Sequence, residues 1–261
     1  MTISPGRSDM PQETSRMRRW GKSIVDIACI VLVVTAAKTA IAEPFYVPSG
    51  SMEPTLLIGD QLLATKYPYG YSAASLPAFV VLSSTERLLG ALPQRGDVVV
   101  FRWPGDRSQV WVKRVIGLPG DRVALHEGRV SINGEPVGMR PDGTGAAENE
   151  DGSQVPAPRF VETLPGPREH TIFKLSANDP LDEMPETVVP PGHLFVMGDN
   201  RDNSADSRVP LSDGGVGMLP IANLVGRVDG IVGSWDLAMK SQPIWTWPSA
   251  FRLSRFFSAV H

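Results

Sequence analysis

The stretch Asp97-Val98-Val99-Val100-Phe101-Arg102-Trp103 and the stretch Val110-Trp111-Val112-Lys113-Arg114-Val115-Ile116-Gly117 decide the fold of this chain. Both are rich in β-branched and aromatic residues, a composition that is typical of β-strands. Shorter runs of the same kind recur between residues 61 and 232, and Asn133-Gly134 is a strong hairpin signal. The 25 Gly and 24 Pro disfavour long helices. We therefore predict a mostly β fold.

The length of 261 residues allows one large domain or a core with an inserted subdomain. Gly, Pro, Asp and Glu are dense from about 138 to 160, which predicts a long loop or flexible edge. The expected segments are a basic tail over 1–22, a membrane anchor over 23–42, a β-rich core over 43–134 and 191–240, an inserted β subdomain over 135–190, and an aromatic and basic tail over 241–261.

Near the N-terminus, the basic residues Arg16, Arg18, Arg19 and Lys22 precede an apolar segment that runs from Ile24 to Ala42. A membrane-spanning helix needs about 20 apolar residues, and this segment reaches that length if Asp26 and Lys38 lie near its ends. Basic residues before the span would keep the N-terminus in the cytoplasm and export the rest. A cleavable signal peptide is the alternative, because Ala40-Ile41-Ala42 fits a small-x-small cleavage site. The segment alone leaves both interpretations open.

Charge and cysteine content exclude several classes of function. The net charge of −3 gives no basic footprint for nucleic acid. The single cysteine, Cys29, excludes an intramolecular disulfide and a cysteine-ligated zinc site. The tail from Trp245 to Phe257 mixes aromatic residues with Arg, which suits a bilayer interface or a segment packed on the core.

The turn Pro48-Ser49-Gly50-Ser51-Met52-Glu53-Pro54-Thr55-Leu56 follows the apolar segment closely, which indicates a serine nucleophile near a bilayer. A serine hydroxyl needs a base to become a nucleophile at neutral pH. The chain has four histidines, none in a catalytic motif, and we expect them at the surface or in loops: His126, His170, His193 and His261. A Ser-His-Asp triad is disfavoured but stays open, because triad members are distant in sequence.

Lysine is the other candidate base, and it must be buried to lose its proton near neutral pH. Lys113 is flanked by apolar residues, and in a strand it points away from the face that holds Arg114. One of these cations can then be buried while the other meets solvent or an acid. The alternative is an exposed lysine on an edge strand.

A third stretch, Met197-Gly198-Asp199-Asn200-Arg201-Asp202-Asn203-Ser204-Ala205-Asp206-Ser207-Arg208, is dense in turn-forming residues. A calcium loop is the alternative, but the glycine of its tight turn and the closing glutamate are missing. Such a loop can instead position the hydroxyl of Ser204 against a buried amine.

In this order and spacing, the three blocks resemble the motifs of bacterial type I signal peptidases over about residues 43–235. The serine turn through Asp60 resembles the nucleophile motif, and residues 95–101 and 113–121 resemble the general-base region. Residues 198–208 resemble the last motif of the family. The fold implied is a β-rich catalytic core with an inserted β subdomain, preceded by one N-terminal transmembrane helix.

The resemblance implies that Ser51 is the nucleophile and Lys113 the general base. The backbone N–H of Ser51 and the hydroxyl of Ser49 would form the oxyanion hole, and Ser204 would hydrogen-bond and orient the Lys113 amine. Supporting residues are Asp199, Asp206, Arg208 and Arg114, the last as the ion-pair partner of Asp199. The positions implied for substrate binding are Phe45, Val47, Pro48, Met52, Leu56, Leu62, Val100, Trp111 and Val112.

The activity implied is removal of signal peptides from exported precursors after small residues at −1 and −3. It needs no metal or cofactor, and the enzyme would be a single-pass monomer of the cytoplasmic membrane that contacts the bilayer and no nucleic acid. Two features depart from some relatives: one N-terminal span, and no cysteine in the insertion. A conjugation-pilus peptidase and an exported calcium-binding scaffold stay as alternatives.

Overall fold

The computed structural model describes residues 20, 22–31, 33–34, 41–75, 87, 90–148, 153–166, 168–176, 178–237, 239 and 242–260. The chain divides into two compact units, Met1–Ala40 and Ile41–His261. In the first unit, the described residues are helical. No helix among the described residues is long and apolar enough to cross a membrane. The anchor predicted over 23–42 falls partly, and the basic tail over 1–22 mostly, outside the described residues, so both stay predictions.

The second unit consists mostly of β-strands, as the sequence predicts. In chain order they are β1 (Ala42–Tyr46), β2 (Asp60–Thr65), β3 (Val98–Arg102), β4 (Val110–Gly117), β5 (Arg122–His126), β6 (Arg129–Ile132), β7 (Glu135–Pro136), β8 (Gly138–Glu148), β9 (Gln154–Leu164), β10 (Arg168–Phe173), β11 (Met184–Val188), β12 (His193–Met197), β13 (Leu219–Pro220), β14 (Leu224–Ser234) and β15 (Ser258–Ala259). Short 3₁₀ helices connect them at Gly50–Met52, Tyr67–Tyr69, Pro180–Asp182, Leu211–Asp213, Ile221–Asn223, Ile244–Ala250 and Leu253–Arg255.

The strands form three antiparallel sheets. The largest has the order β1-β2-β14-β3-β4-β12-β13, and β15 pairs with β14. The other two have the orders β11-β5-β6-β7 and β10-β9-β8. The chain thus leaves the large sheet after β4 and returns to it at β12. Strands outside the large sheet begin at Arg122, before the predicted start of the insertion at 135.

A long hairpin occupies the region where composition predicts a loop over 138–160. β8 and β9 pair in register from Gly138 opposite Thr163 to Glu148 opposite Gln154, with an irregularity between Pro141 and Thr144. The loop prediction is wrong because cross-strand pairing overrides a composition rich in Gly and Pro. The proline Pro141 is tolerated because β8 is an edge strand with a bulge at that point.

β3 is buried on both faces, and this burial positions the functional site. Val98 and Val100 pack into one hydrophobic cluster, whereas Val99 and Phe101 pack into another. Successive strand residues point to opposite faces, so the continuous apolar run of β3 serves two cores at once. β4 pairs with β3 from Val110 to Arg114 and with β12 from Arg114 to Gly117, so its last residues lie between two strands and are buried.

The C-terminal segment packs on the core and also exposes apolar side chains. Phe251 lies against Trp235, with ring centroids 5.2 Å apart, and Ala250 is fully buried. In the same segment Trp245 and Phe257 are 79% and 84% exposed. The segment therefore has an inner face that joins the core and an outer face without a cover among the described residues.

Candidate active site

The serine turn is a 3₁₀ helix, Gly50–Met52, held by the loop that follows β12. Asn200 donates its side-chain N–H to the Gly50 carbonyl oxygen (3.1 Å) and its backbone N–H to the Ser51 carbonyl oxygen (3.1 Å). Ser49 precedes the helix in an extended conformation (φ −137°, ψ 156°), and its side chain makes no capping bond. Asn200 therefore holds the turn through two backbone carbonyl groups and uses neither serine hydroxyl.

Lys113 lies directly against Ser51. Its Nζ is 2.6 Å from the Ser51 Oγ, and the residue is 3% exposed. Burial lowers the pKa of Lys113 to about 8, although nearby Asp206 and Asp199 oppose the shift. Arg208 lowers that pKa further. A substantial fraction of the amine is therefore neutral near physiological pH and can accept the serine proton.

Arg114, the next residue of β4, forms a buried ion pair with Asp199. Its Nε and Nη2 lie 2.8 and 2.7 Å from the two carboxylate oxygens, and both side chains are 1% exposed. Thr55 also donates its hydroxyl to Asp199 (2.5 Å). Burial alone would raise the pKa of Asp199, but Arg114 outweighs it, so the pKa is lowered and the carboxylate stays charged. The pair ties β4 to the loop after β12.

Asp206 and Arg208 form a second buried pair in that loop. Arg208 Nε and Nη2 lie 2.9 and 2.8 Å from the Asp206 carboxylate, which also accepts the backbone N–H of Gly198 (3.0 Å). Because Asp199 and Asp206 are both bound by arginines, they are not arranged as ligands of a cation. Among the described residues, no group of three His, Cys, Asp or Glu side chains could hold a metal ion.

Ser204 is buried beside the turn but makes no hydrogen bond with any described residue. The predicted bond from Ser204 to the Lys113 amine is therefore not formed, because that amine lies at the Ser51 hydroxyl instead. Ser204 packs against Gly198, where an added Cβ would be 2.3 Å from the Ser204 Oγ and 2.4 Å from the Ser51 carbonyl oxygen.

A groove of about 500 Å³ opens over the two facing side chains, Ser51 and Lys113. Of the positions predicted for substrate binding, those that line it are Phe45, Pro48, Leu62, Val100, Trp111 and Val112. The others, Val47, Met52 and Leu56, are at most 1% exposed and belong to the core beneath it. Ser49 lines the groove, and no histidine is among its described lining residues.

Comparison with known proteins gives the family. Residues 17–235 match the family model described as "Signal peptidase, peptidase S26". The chain belongs to this family. Signal peptidase I of Rickettsia typhi is 37% identical over 258 residues, which cover 92% of each chain. Signal peptidase I of Rickettsia massiliae is 36% identical over 263 residues, which cover 94% of this chain and 93% of that one.

A crystal structure of a signal peptidase I from Enterococcus faecalis also matches. It is 26% identical, covers 53% of this chain and 97% of that chain, and superposes with a TM-score of 0.29. The family match confirms the resemblance that the three motifs carry and the class of enzyme, a serine endopeptidase.

The sequence does not predict every residue of the groove. Four residues that line it were not among the predicted positions: Tyr46, Gln109, Val110 and Ala205. Val110 could have been found, since it lies two positions before Val112 in the same strand. Gln109 and Ala205 lie in connecting segments and carry no sequence signal.

A buried ionic cluster beneath the loop was also missed. Arg201 pairs with Glu162 of β9 at 2.9 and 2.5 Å, and both side chains are 1% exposed. His170 lies 3.2 Å from Glu162 and is 6% exposed, so the expectation of a surface histidine is wrong for it. Burial lowers the pKa of His170 and favours its neutral form. The cluster anchors the loop to the inserted sheet and gives His170 a structural role.

Proposed function

We propose that this member of the peptidase S26 family is a membrane-anchored signal peptidase I that uses Ser51 and Lys113 as a catalytic dyad. The observation that carries the proposal is the 2.6 Å approach of the Lys113 Nζ to the Ser51 Oγ in the wall of a groove. A buried amine with a lowered pKa is the base that a serine nucleophile requires.

The reaction proceeds through an acyl-enzyme. The Ser51 Oγ attacks the carbonyl carbon of the scissile bond while the neutral Lys113 amine takes the hydroxyl proton. The ammonium then gives this proton to the leaving amine, and the mature protein departs. A water molecule, deprotonated by Lys113, then attacks the acyl carbon. As the bond from this carbon to the Ser51 Oγ breaks, the Lys113 ammonium returns the proton to that Oγ, and the signal peptide departs.

The oxyanion that forms during attack is stabilised by the backbone N–H of Ser51 and the hydroxyl of Ser49. Support comes from the position of Ser49, which lines the groove and leaves its hydroxyl uninvolved in helix capping. Removing one such donor typically costs about 2.7–4 kcal/mol of transition-state stabilisation. Asp199, Asp206, Arg114 and Arg208 support the dyad through their buried ion pairs, and Ser204 supports it by packing under the turn.

The groove selects small residues at −1 and −3 of the precursor. Its described lining is largely apolar and includes the bulky side chains of Phe45, Leu62 and Trp111. We infer that these bulky side chains disfavour a large substrate side chain beside Ser51, because an apolar pocket discriminates by steric exclusion. Precursors carrying small-x-small sites are therefore the proposed substrates.

The enzyme is proposed to work as a monomer at the outer face of the cytoplasmic membrane. The apolar segment over 23–42 would be retained as a single-pass anchor, and the basic residues before it would hold the N-terminus in the cytoplasm. We also keep, as part of this proposal, a catalytic core over 43–134 and 191–240, with an inserted subdomain over 135–190. The acidic net charge of −3 supports the absence of a nucleic-acid partner.

Cleavage of a purified precursor by variants of the full chain tests the dyad. We expect Ser51→Ala and Lys113→Met each to abolish cleavage, because one removes the nucleophile and the other its base. Lys66→Met is the matched control, since Lys66 is equally buried at 3% exposed and bonds to the Ser75 carbonyl oxygen outside the groove. With folding checked by circular dichroism, activity retained in either dyad variant would refute the assignment.

A further inference from the structure

A carboxylate that the dyad mechanism does not use lies beneath the serine turn. Glu53 directly follows the 3₁₀ helix and is 2% exposed. Its backbone N–H bonds to the Gly50 carbonyl oxygen (3.1 Å), and its side chain folds back under the same residue. A Cβ added at Gly50 would be only 3.2 Å from the Glu53 carboxyl carbon and from its Oε2.

The second partner of this carboxylate is the end of strand β8. The backbone N–H of Glu148, 95 positions away in sequence, donates to the Glu53 Oε2 at 3.0 Å. The carbonyl oxygen of Glu148 would be 3.3 Å from a Cβ at Gly50. Gly50 is therefore enclosed between the Glu53 carboxyl group and the backbone of the inserted hairpin, and its lack of a side chain permits this close packing.

Gly50 connects the two residues proposed to hold the oxyanion, Ser49 and Ser51. Asn200 fixes its carbonyl oxygen from one side, while Glu53 and Glu148 enclose its Cα from another. We propose that Glu53 is a positioning residue that holds the serine turn against the end of β8 and so orients the Ser49 hydroxyl and the Ser51 N–H. The inference rests on the proposed function, and it makes the inserted β8–β9 hairpin part of the support of the active site.

The chemistry of the side chain favours this role over simple space filling. An apolar residue of similar size would fill the same volume without the cost of burying a carboxylate. What the carboxylate adds is a strong acceptor for the Glu148 N–H, because hydrogen bonds to ionised acceptors are stronger than neutral ones. The bond can therefore hold the turn more firmly than packing alone.

The charge of Glu53 changes near neutral pH. Burial raises its pKa to about 7, and the Glu148 carboxylate adds to this rise, whereas the Glu148 N–H and the Arg252 guanidinium lower it. Above that pH, the ionised carboxylate accepts the Glu148 N–H. Below it, the carboxyl group is protonated and is a weaker hydrogen-bond acceptor. A glutamine at this position keeps the acceptor oxygen but does not titrate.

Kinetics of the full chain in detergent, on a purified precursor between pH 6 and 8.5, test the inference. We expect Glu53→Leu to lower kcat about tenfold or more with KM changed less than about twofold, because misplaced catalytic groups affect the chemical step. We expect the kcat of Glu53→Gln to be roughly threefold below that of the unmodified chain at pH 8.5 and equal to it at pH 6, where both acceptors are neutral.

Asp182→Asn is the matched control. Asp182 is another buried carboxylate, 4% exposed, that accepts a backbone N–H, that of Asp179 at 3.0 Å. We expect the Asp182→Asn variant to be less stable than the unmodified chain but to keep its kcat. If Glu53→Leu does not fold, the inference is tested by the kcat of Glu53→Gln relative to that of the unmodified chain at pH 6 and pH 8.5. Three outcomes would overturn the inference. Glu53→Leu could keep the kcat of the unmodified chain, or it could lose no more kcat than Asp182→Asn. The kcat of Glu53→Gln, divided by that of the unmodified chain, could also stay constant with pH. Failure of the dyad itself would differ, since Ser51→Ala would then still cleave.

Discussion

At the scale of single residues, Lys113 illustrates how a strand converts an ordinary lysine into a base. A free lysine has a pKa of about 10.4 and is charged at neutral pH. On β4, opposite the buried Val99, the amine loses its hydration and its pKa falls to about 8. Asp206 and Asp199 limit the fall, so the amine titrates close to the pH at which it works.

The pH dependence of cleavage follows from this value. Only the neutral amine accepts a proton, and its fraction rises as pH passes upward through the pKa of about 8. We therefore expect kcat to rise about tenfold between pH 7 and pH 9 and then to level off. The measurement is the pH profile of kcat with a folded precursor, corrected for enzyme stability at each pH. A flat profile over this range would contradict the assignment of Lys113 as the base.

The sequence predicts the proposed dyad but not all of its surroundings. Ser51 and Lys113 can be singled out because each lies in a short motif, and the structure brings their side chains to 2.6 Å. Val47, Met52 and Leu56, also predicted for substrate binding, are buried and are not among the described residues that line the groove. Spacing around a short turn does not reveal which side chains face the groove, because the direction depends on how the turn packs against distant strands.

At the scale of elements, the end of β12 is fitted to the serine turn through Gly198. Its backbone N–H bonds to Asp206, while its Cα faces Ser204 and the Ser51 carbonyl oxygen. The glycine follows the last residue of the strand, Met197, and lets the loop pass close to the nucleophile. Any side chain there would separate the loop from the turn.

Gly198→Ala should therefore impair catalysis more than folding. The new methyl group would be 2.4 Å from the Ser51 carbonyl oxygen, so the turn must shift. We expect kcat to fall about 100-fold, since displacement of a catalytic group by about 1 Å has this effect, with about 1–3 kcal/mol of lost stability. Gly138→Ala is the control, because a Cβ there would make only ordinary contact with Thr163 at 3.6 Å. Equal kcat in the two variants would show that the close approach is unimportant.

The β8–β9 hairpin shows that amino-acid composition alone does not predict every strand. Runs rich in Val predict strands β3 and β4 of the large sheet correctly, because a strand that is buried on both faces has a continuous apolar sequence. β8 and β9 have few such residues and are stabilised by pairing with each other and, at the hairpin end, by the Glu53–Glu148 contact. Contacts between residues 95 positions apart leave no local signal in a single sequence.

At the scale of the whole catalytic unit, the C-terminal segment fastens the loop that follows the serine turn. Arg255 pairs with the buried Asp60 at 2.6 Å and also donates to the Thr55 carbonyl oxygen. Arg252 donates to the Ile58 carbonyl oxygen. With its arginines turned inward, the segment presents apolar side chains outward. The most exposed of them are Ile244, Trp245, Leu253 and Phe257, at 68%, 79%, 71% and 84%.

This outward surface is predicted to contact a lipid bilayer. Aromatic residues with aliphatic neighbours favour the membrane–water interface, and a free apolar patch in water would be costly. In proteoliposomes of the full chain, brominated lipid should quench the tryptophan fluorescence of the unmodified chain more than that of Trp245→Phe. Trp103→Phe is the control, because Trp103 stacks on Trp111 at 5.2 Å and bonds to the Gly215 carbonyl oxygen, away from this surface. If Trp245→Phe and Trp103→Phe lose the same share of quenching, the segment does not reach lipid.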